Sequence, residues 1–492
     1  MALQLAPLAA LAFTARLAAP LAPRSRVLLS ADPPADPSAV PADVVQLWSE
    51  QWWPLLFSAS ASKTAPTPLH VLGAPLVVWW DAPRARWRCL LDRCPHRLAK
   101  LSQGRVDARG RLECAYHGWA FEGGGGACEA LPQRGAPCGR ALALPVVEAQ
   151  GLVWAWGGAL FGGAEARGGP LTVAEASDPR FSVADYWREC AVDATLAAEN
   201  FLDPSHVYFA HHRTIARREH ARAVPLRLSS PLRRDGFSLR SAQPQEWPGT
   251  ATFHAPMLAV VSTRRAGSYN TTLVNYCVPT LPGRCRQMVR ICFETARMPP
   301  PLRQLIGLSS SRRLAWLSHI TRAAAVVEDD HGLLHDIEHF YRLAAPPPPA
   351  SPPGAPSQGA ELAPRWEARL QLPTRSDGSF IALRRWVDTY TRGRGVAWSP
   401  HTPAAALAAP PPLLAPHALL ERFESHAQHC TACRGALATA RRVRAAAQVG
   451  ALLCLAAGAA RLAAAAYGAA MLAASLEARL LVGPVPRERR DS

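Results

Sequence analysis

Two short loops decide the fold: Cys94-Pro95-His96-Arg97 and Cys114-Ala115-Tyr116-His117-Gly118-Trp119, with 17 residues between His96 and Cys114. Each offers one thiolate and one imidazole. Upstream, Leu76 to Trp80 reads as a strand, Asp81 to Ala85 as a turn and Arg86 to Leu91 as its hairpin partner. The first Cys/His pair therefore follows directly on a strand end. A further strand-like run, Leu152 to Trp156, closes the region before Gly157-Gly158. Two Cys and two His also suit a structural zinc ion. Zinc fingers usually pair Cys with Cys and His with His, whereas both loops here are mixed. That favours an iron–sulfur cluster. Gly118, after the last ligand, lets the backbone turn tightly.

In a Rieske-type [2Fe–2S] centre two Cys hold one iron and two His hold the other. Cys94, Cys114, His96 and His117 supply that set. Neutral imidazole in place of thiolate raises the cluster potential, which suits passing single electrons to a second iron. A second iron motif follows in Glu199-Asn200-Phe201-Leu202-Asp203-Pro204-Ser205-His206, with His211 beyond it. Two His and one carboxylate form the facial triad of non-haem Fe(II) oxygenases. His206 and His211 are five apart, a poor same-face spacing on an ideal helix, so the helix must end or distort between them. The carboxylate must come from elsewhere. Asp330 is the leading candidate, with Asp329 and Glu328 as rivals. Asp203 reads either as a group orienting a ligating His or as a helix N-cap with Pro204 at N1. His212 and His220 carry no assigned role.

The chain has 492 residues, 49% of them hydrophobic, and a formal net charge of +17. Length suggests two to four domains. Only Lys63 and Lys100 are lysines; the other basic residues are Arg. A basic surface fits an acidic electron donor or anionic lipid. No aromatic-and-basic module of the nucleic-acid kind is present. The 12 cysteines are spread along the chain, which argues against a disulfide scaffold and for metal or redox chemistry. No acidic residue precedes Asp32, and Arg16, Arg24, Arg26, Ser25 and Ser30 stand among Ala, Leu and Pro. That is a transit-peptide composition. Met1 to Ala15 is apolar enough for a secretory segment, so a two-part plastid signal fits too. The bland reading is a disordered Ala/Pro tail.

Ordered structure is expected from near Val44. Gly123 to Gly126 reads as a flexible loop without a phosphate-cradling context. Tyr186 to Ala210 is expected to contain a helical stretch bearing the second motif. Leu226 to Arg240, Thr271 to Pro279 and Arg286 to Phe293 alternate like strands, and Leu314 to Leu343 looks helical. Residues 346–356 are Pro-rich, and Thr374 to Arg394 resumes structured sequence. Near the end stand Cys430-Thr-Ala-Cys433 and an apolar run from Val449 to Leu476, broken once by Arg461. The CxxC spacing suits a redox pair. A metal there would need two more ligands, which His426 and His429 could supply.

These motifs, in this order, resemble the Rieske-type oxygenases. More narrowly they resemble the plastid and cyanobacterial group around pheophorbide a oxygenase, with translocon-associated Rieske proteins and protochlorophyllide a oxygenase-like proteins. The matching text includes Cys94-Pro-His-Arg-Leu-Ala, Tyr116-His-Gly-Trp119, Asp203-Pro-Ser-His-Val207, Ala210-His-His212, Arg384-Arg-Trp386 and His426-Ala-Gln-His-Cys-Thr-Ala-Cys433. The late CxxC is the most discriminating.

The resemblance implies an α+β chain: an all-β Rieske domain, a helix-grip catalytic domain and C-terminal membrane-associated helices. The expected parts are a plastid presequence over 1–43, the Rieske domain over 44–165 and the mononuclear iron domain over 166–400. A Pro-rich insertion lies at 345–363, the CxxC segment spans 401–444 and the apolar helices 445–480. It implies a homotrimer in which Asp203 links a Rieske His of one subunit to His206 of the next. Ferredoxin would supply electrons, and thioredoxin would reset Cys430 and Cys433. The substrate would be a chlorophyll-derived tetrapyrrole, pheophorbide a foremost, opened at a methine bridge. The location would be a plastid membrane, thylakoid or inner envelope. The alternatives are a redox-sensing component of a plastid membrane complex, or a hydroxylase of another chlorophyll(ide) or phyllobilin.

Overall fold

The computed structural model describes residues 40–483, apart from 134–138, 164, 265–268, 310, 312–313, 344–365, 369 and 409–411. The presequence expectation and the Pro-rich insertion fall almost wholly outside the described residues.

The strand Ala74–Asp81 pairs antiparallel with Arg86–Leu91, with Trp80 opposite Trp87. Val77, Val78 and Trp79 are fully buried, so this strand packs on both faces, as its unbroken apolar run demands. Thr67–Val71 and Ala143–Leu144 complete a four-stranded sheet. A three-stranded sheet of Trp52–Phe57, Leu152–Trp156 and Val146–Ala149 packs with it. A small four-stranded sheet carries the second Cys/His loop: Arg105–Val106, Leu112–Glu113, Ala120–Phe121 and Cys128–Ala130. The Gly123–Gly126 loop is tied down rather than free. Glu122 accepts hydrogen bonds from the backbone N–H groups of Gly124, Gly125 and Ala127.

The second half is built on a seven-stranded antiparallel sheet. Its strand order is Phe181–Cys190, Arg284–Glu294, Thr271–Leu281, Leu258–Thr263, Gly249–His254, Gly236–Ser241 and Leu226–Leu228. Helices Ala194–Leu202, Ala324–Leu343 and Gly378–Tyr390 accompany it. The span Tyr186 to Ala210 contains the expected helical stretch, Ala194–Leu202, and the single turn Val207–Ala210. Tyr186 to Cys190 belong to the edge strand, whose β-ladder with Arg284–Glu294 overrides local propensity. The helix begins after Asp193, whose Oδ1 accepts from the Thr195 N–H at 2.8 Å.

The halves share one apolar core. Leu72 and Gly73 donate their N–H groups to Pro279 O and Thr280 O, and Arg286 donates to Leu55 O. The C-terminal segment is an antiparallel helical hairpin, Thr431–Ala456 and Ala460–Leu481. The chain turns at Gly458, with φ +73°. Buried Glu477 holds the two helices together through Arg441 at 2.9 Å and Arg444 at 2.8 Å. Among the described residues no helix is long and apolar enough to cross a membrane.

Candidate metal centres

The two Cys/His loops are built alike. Cys94 O accepts from Leu98 N–H at 2.8 Å, and Cys94 N–H donates to Ala99 O at 2.8 Å. Cys114 O accepts from Gly118 N–H at 2.9 Å, and Cys114 N–H donates to Trp119 O at 2.8 Å. Both loops close through a left-handed residue, Leu98 at φ +61° and Gly118 at φ +72°. A Cβ on Gly118 would meet the Pro132 ring at 3.0 Å, so glycine fits this close approach best. The cysteines are buried and the histidines half-buried. The His96 and His117 ring centroids lie 4.5 Å apart, and Trp119 stacks on His96 at 4.4 Å. His96 Nδ1 is buried and has no hydrogen-bond partner, a lone pair well suited to a metal. Two thiols at the inner end and two imidazoles at the outer end fit a [2Fe–2S] cluster of mixed ligation.

The second site gathers on three elements. Helix Ala194–Leu202 stops at Asp203, and a single turn, Val207–Ala210, follows. His206 is the N-cap of that turn and His211 its C-cap, so the helix ends between the two ligands as their spacing required. Asp330 comes from the long helix Ala324–Leu343. Its Oδ2 lies 3.4 Å from His211 Nε2 and 3.8 Å from His206 Nε2. These three groups can converge on one ion, with ligand atoms within 4.8 Å of one another. Asp329 Oδ2 sits instead on the far nitrogen of His211, Nδ1, at 3.4 Å. That is the position of a carboxylate that orients a ligating imidazole. Glu328 faces away. Arg422 binds it through two 2.7 Å hydrogen bonds, and Arg188 adds a third. Its rivalry with Asp330 is thereby removed.

Asp203 lies 3.9 Å from His206 Nδ1, and its Oδ1 accepts from Ser205 N–H at 2.7 Å. It closes a turn between two helices rather than serving as an N-cap. His212 Nδ1 accepts from the Arg218 N–H at 3.1 Å and stays apart from the triad. Asn200 was legible only as part of a motif. Its Nδ2 donates to Asp330 Oδ2 at 2.9 Å and so fixes the carboxylate.

A cavity of about 960 Å³ opens beside His206. Asn200, Asp203, Tyr341, Phe380 and Trp398 line it, together with buried Glu199 and half-buried Arg384. Arg384 Nη2 is 2.6 Å from Glu199 Oε2. Burial outweighs this attraction and pushes the Glu199 carboxyl up from 4.5 to about 7. Such a group stabilises the fold below pH 4.5 and loses that contribution as pH rises through about 7. Glu199→Gln is therefore expected to flatten the fall in Tm across that window. Parallel Tm curves for wild type and variant would show that Glu199 does not titrate there.

Cys430 and Cys433 are buried, at 0% and 1% exposure. They lie with His426 and His319. His429, the other expected neighbour, packs against Trp187 instead. His319 was invisible in the sequence, because it stands 107 residues before His426 with no local motif. Ten of the described cysteines are free, in keeping with a chain that is no disulfide scaffold, and Cys128 is disulfide-bonded.

Residues 51–148 match the Rieske [2Fe-2S] domain, a span that contains all four cluster candidates. Residues 253–345 match the pheophorbide a oxygenase domain, which contains Asp329 and Asp330. The chain is 29% identical to the chloroplastic pheophorbide a oxygenase of Oryza sativa subsp. japonica, covering 82% of this chain and 75% of that one. It is 28% identical to the chloroplastic flavonoid 8-hydroxylase 2 of Ocimum basilicum, covering 82% and 76%. In fold it is similar to dicamba monooxygenase bound to dicamba, with TM-score 0.51 and 18% identity over 71% of this chain and 99% of the other. With a match to the Rieske [2Fe-2S] domain and another to the pheophorbide a oxygenase domain, the chain is similar to the Rieske-type non-haem iron oxygenases of the group around pheophorbide a oxygenase.

Proposed function

We propose that this oxygenase uses ferredoxin-derived electrons and O₂ to oxygenate a chlorophyll-derived tetrapyrrole, pheophorbide a foremost, with opening of the macrocycle. The observation that carries the reading is the cavity beside His206. Its volume of about 960 Å³ is near the upper end of the range for small-molecule pockets, as a large flat ligand requires. Tyr341, Phe380 and Trp398 give it flat aromatic walls. The chloroplastic pheophorbide a oxygenase relative supports the same substrate class. To test this, reduced enzyme is incubated anaerobically with pheophorbide, chlorophyllide, phyllobilin and flavonoid substrates, exposed to O₂ and analysed by mass spectrometry. An oxygenated pheophorbide supports the reading; a product only from the flavonoid would replace it.

In this reading Cys94 and Cys114 hold one cluster iron, and His96 and His117 hold the other. His206, His211 and Asp330 hold the mononuclear iron, which supplies O₂ activation when bound. Asn200 and Asp329 orient Asp330 and His211. Asp330→Ala is expected to lose the mononuclear iron altogether. Asp329→Ala is expected to keep it, at a cost of about 10–100-fold in affinity or activity. Metal analysis and turnover of both variants check this, and the reverse pattern would reassign the ligand.

A homotrimer is part of the proposal, with Asp203 bridging a neighbour's Rieske His to His206. Exposed apolar side chains beside both centres support it: Leu98 and Tyr116 at the cluster, Phe209 and Ile215 at the iron triad. We place the protein at a plastid membrane, thylakoid or inner envelope, held by the C-terminal hairpin. Leu452, Leu453, Leu455, Leu462 and Leu472 are exposed on either side of the turn at Gly458, a surface suited to lying in the lipid interface.

A further inference from the structure

We propose that His319, His426, Cys430 and Cys433 form a separate, structural zinc site that pins the C-terminal hairpin to the catalytic domain. The four side chains come from two distant parts of the chain and are all buried, between 0% and 7% exposed. Their donor atoms face one another. His319 Nδ1 is 3.2 Å from His426 Nε2, 3.3 Å from Cys433 Sγ and 3.8 Å from Cys430 Sγ. Cys433 Sγ is 3.4 Å from His426 Nε2.

These spacings are the edges of a zinc tetrahedron. Zinc holds sulfur at about 2.3 Å and nitrogen at about 2.0–2.1 Å. Tetrahedral geometry then sets nitrogen–nitrogen edges of about 3.3 Å and sulfur–nitrogen edges of about 3.5 Å. The one nitrogen–nitrogen edge and the three sulfur–nitrogen edges above lie close to those values.

The outer nitrogens of both rings are already committed. His319 Nε2 donates to Asp185 O at 3.0 Å, and His426 Nδ1 donates to Trp187 O at 2.7 Å. A backbone carbonyl only accepts, so each outer nitrogen carries the ring proton. The inner nitrogens are left as two lone pairs pointed at each other. Without a cation between them this contact is repulsive. The same outer-shell bonds are those that orient a metal-ligating histidine.

Two π-helical turns deliver the histidines. His319 opens the π turn His319–Ala323, and His426 lies within the π turn Phe423–Ala427. Such turns are rare and frequently mark functional sites. Cys430 and Cys433 stand at the N-cap and in the first turn of Thr431–Ala456, so their sulfurs share one side. Two thiolates and two neutral imidazoles around a divalent ion sum to zero charge, the least costly state for a buried site. The thiol protons leave to solvent as the metal binds.

The staple acts on the catalytic machinery through the backbone. The π turn that His319 opens runs directly into helix Ala324–Leu343, which carries Asp330, and the carbonyls of Asp185 and Trp187 belong to the edge strand of the main sheet. A dithiol reset by thioredoxin is the competing occupant of this place, but both sulfurs are sealed from a protein partner.

The test uses the full-length enzyme, purified anaerobically with both iron centres loaded. Elemental analysis is expected to give one zinc per chain beside the iron. Zinc-edge X-ray absorption is expected to show two sulfur and two nitrogen neighbours. His319→Gln and Cys433→Ser are expected to lose zinc while keeping the cluster absorbance. Mercurial titration of the wild type needs no variant to fold, and is expected to release the zinc as Cys430 and Cys433 react. Zinc-free wild type, zinc retained in both variants, or a thioredoxin-reducible Cys430–Cys433 disulfide in the folded enzyme would each overturn the site.

Discussion

His206→Ala is expected to leave the cluster's absorbance and paramagnetic signal unchanged and to abolish product formation. The cluster loops sit on two small sheets apart from the seven-stranded sheet, and none of their backbone hydrogen bonds involves His206. His206 stands at the N-cap of the single turn Val207–Ala210, and its Nδ1 has no hydrogen-bond partner. Removing the ring therefore costs the fold little. It takes one of three donors from an ion whose other positions must stay open for O₂ and substrate. The mononuclear iron content should fall with activity, while melting temperature stays near that of wild type. Product formed at a wild-type rate by this variant would remove His206 from the triad.

The second large effect is expected at Asp203. Asp203→Ala should keep both metal centres yet stop electrons from passing between them. The carboxylate lies 3.9 Å from His206 Nδ1 and remains a third exposed, so one face is available to a neighbouring subunit. Single-turnover experiments with pre-reduced cluster measure this directly: the cluster should stay reduced after O₂ and substrate are added. Asp203 also closes the turn before the ligand helix through Ser205 N–H. Asp203→Asn retains a side-chain oxygen for that turn and separates the two roles. Normal reoxidation of the cluster in both variants would contradict the bridge.

Much of this was legible in local sequence. The Cys94 and Cys114 loops announce themselves because every donor lies within four residues and a hairpin fixes their placement. The five-residue gap from His206 to His211 required a broken helix, and the C-cap at His211 is that break. What stayed hidden was set by tertiary packing. Asp330, Asp329 and Glu328 are adjacent in sequence, yet only their helix's rotation against the sheet, and the Arg188 and Arg422 guanidiniums, assign them different partners. Tyr186 to Cys190 lacked a strand signal strong enough to read, because the edge strand is defined by its ladder partner Arg284–Glu294. His319 could not be paired with the CxxC at all, since the π turn that aims it exists only in the folded chain.

Oxygenation of pheophorbide a is tested by a single turnover of fully reduced enzyme with this substrate under ¹⁸O₂. A ring-opened product carrying ¹⁸O is expected, formed as the cluster is oxidised, and none from His206→Ala. Cluster oxidation with unaltered pheophorbide a would contradict it and leave the chain an oxygenase of some other substrate.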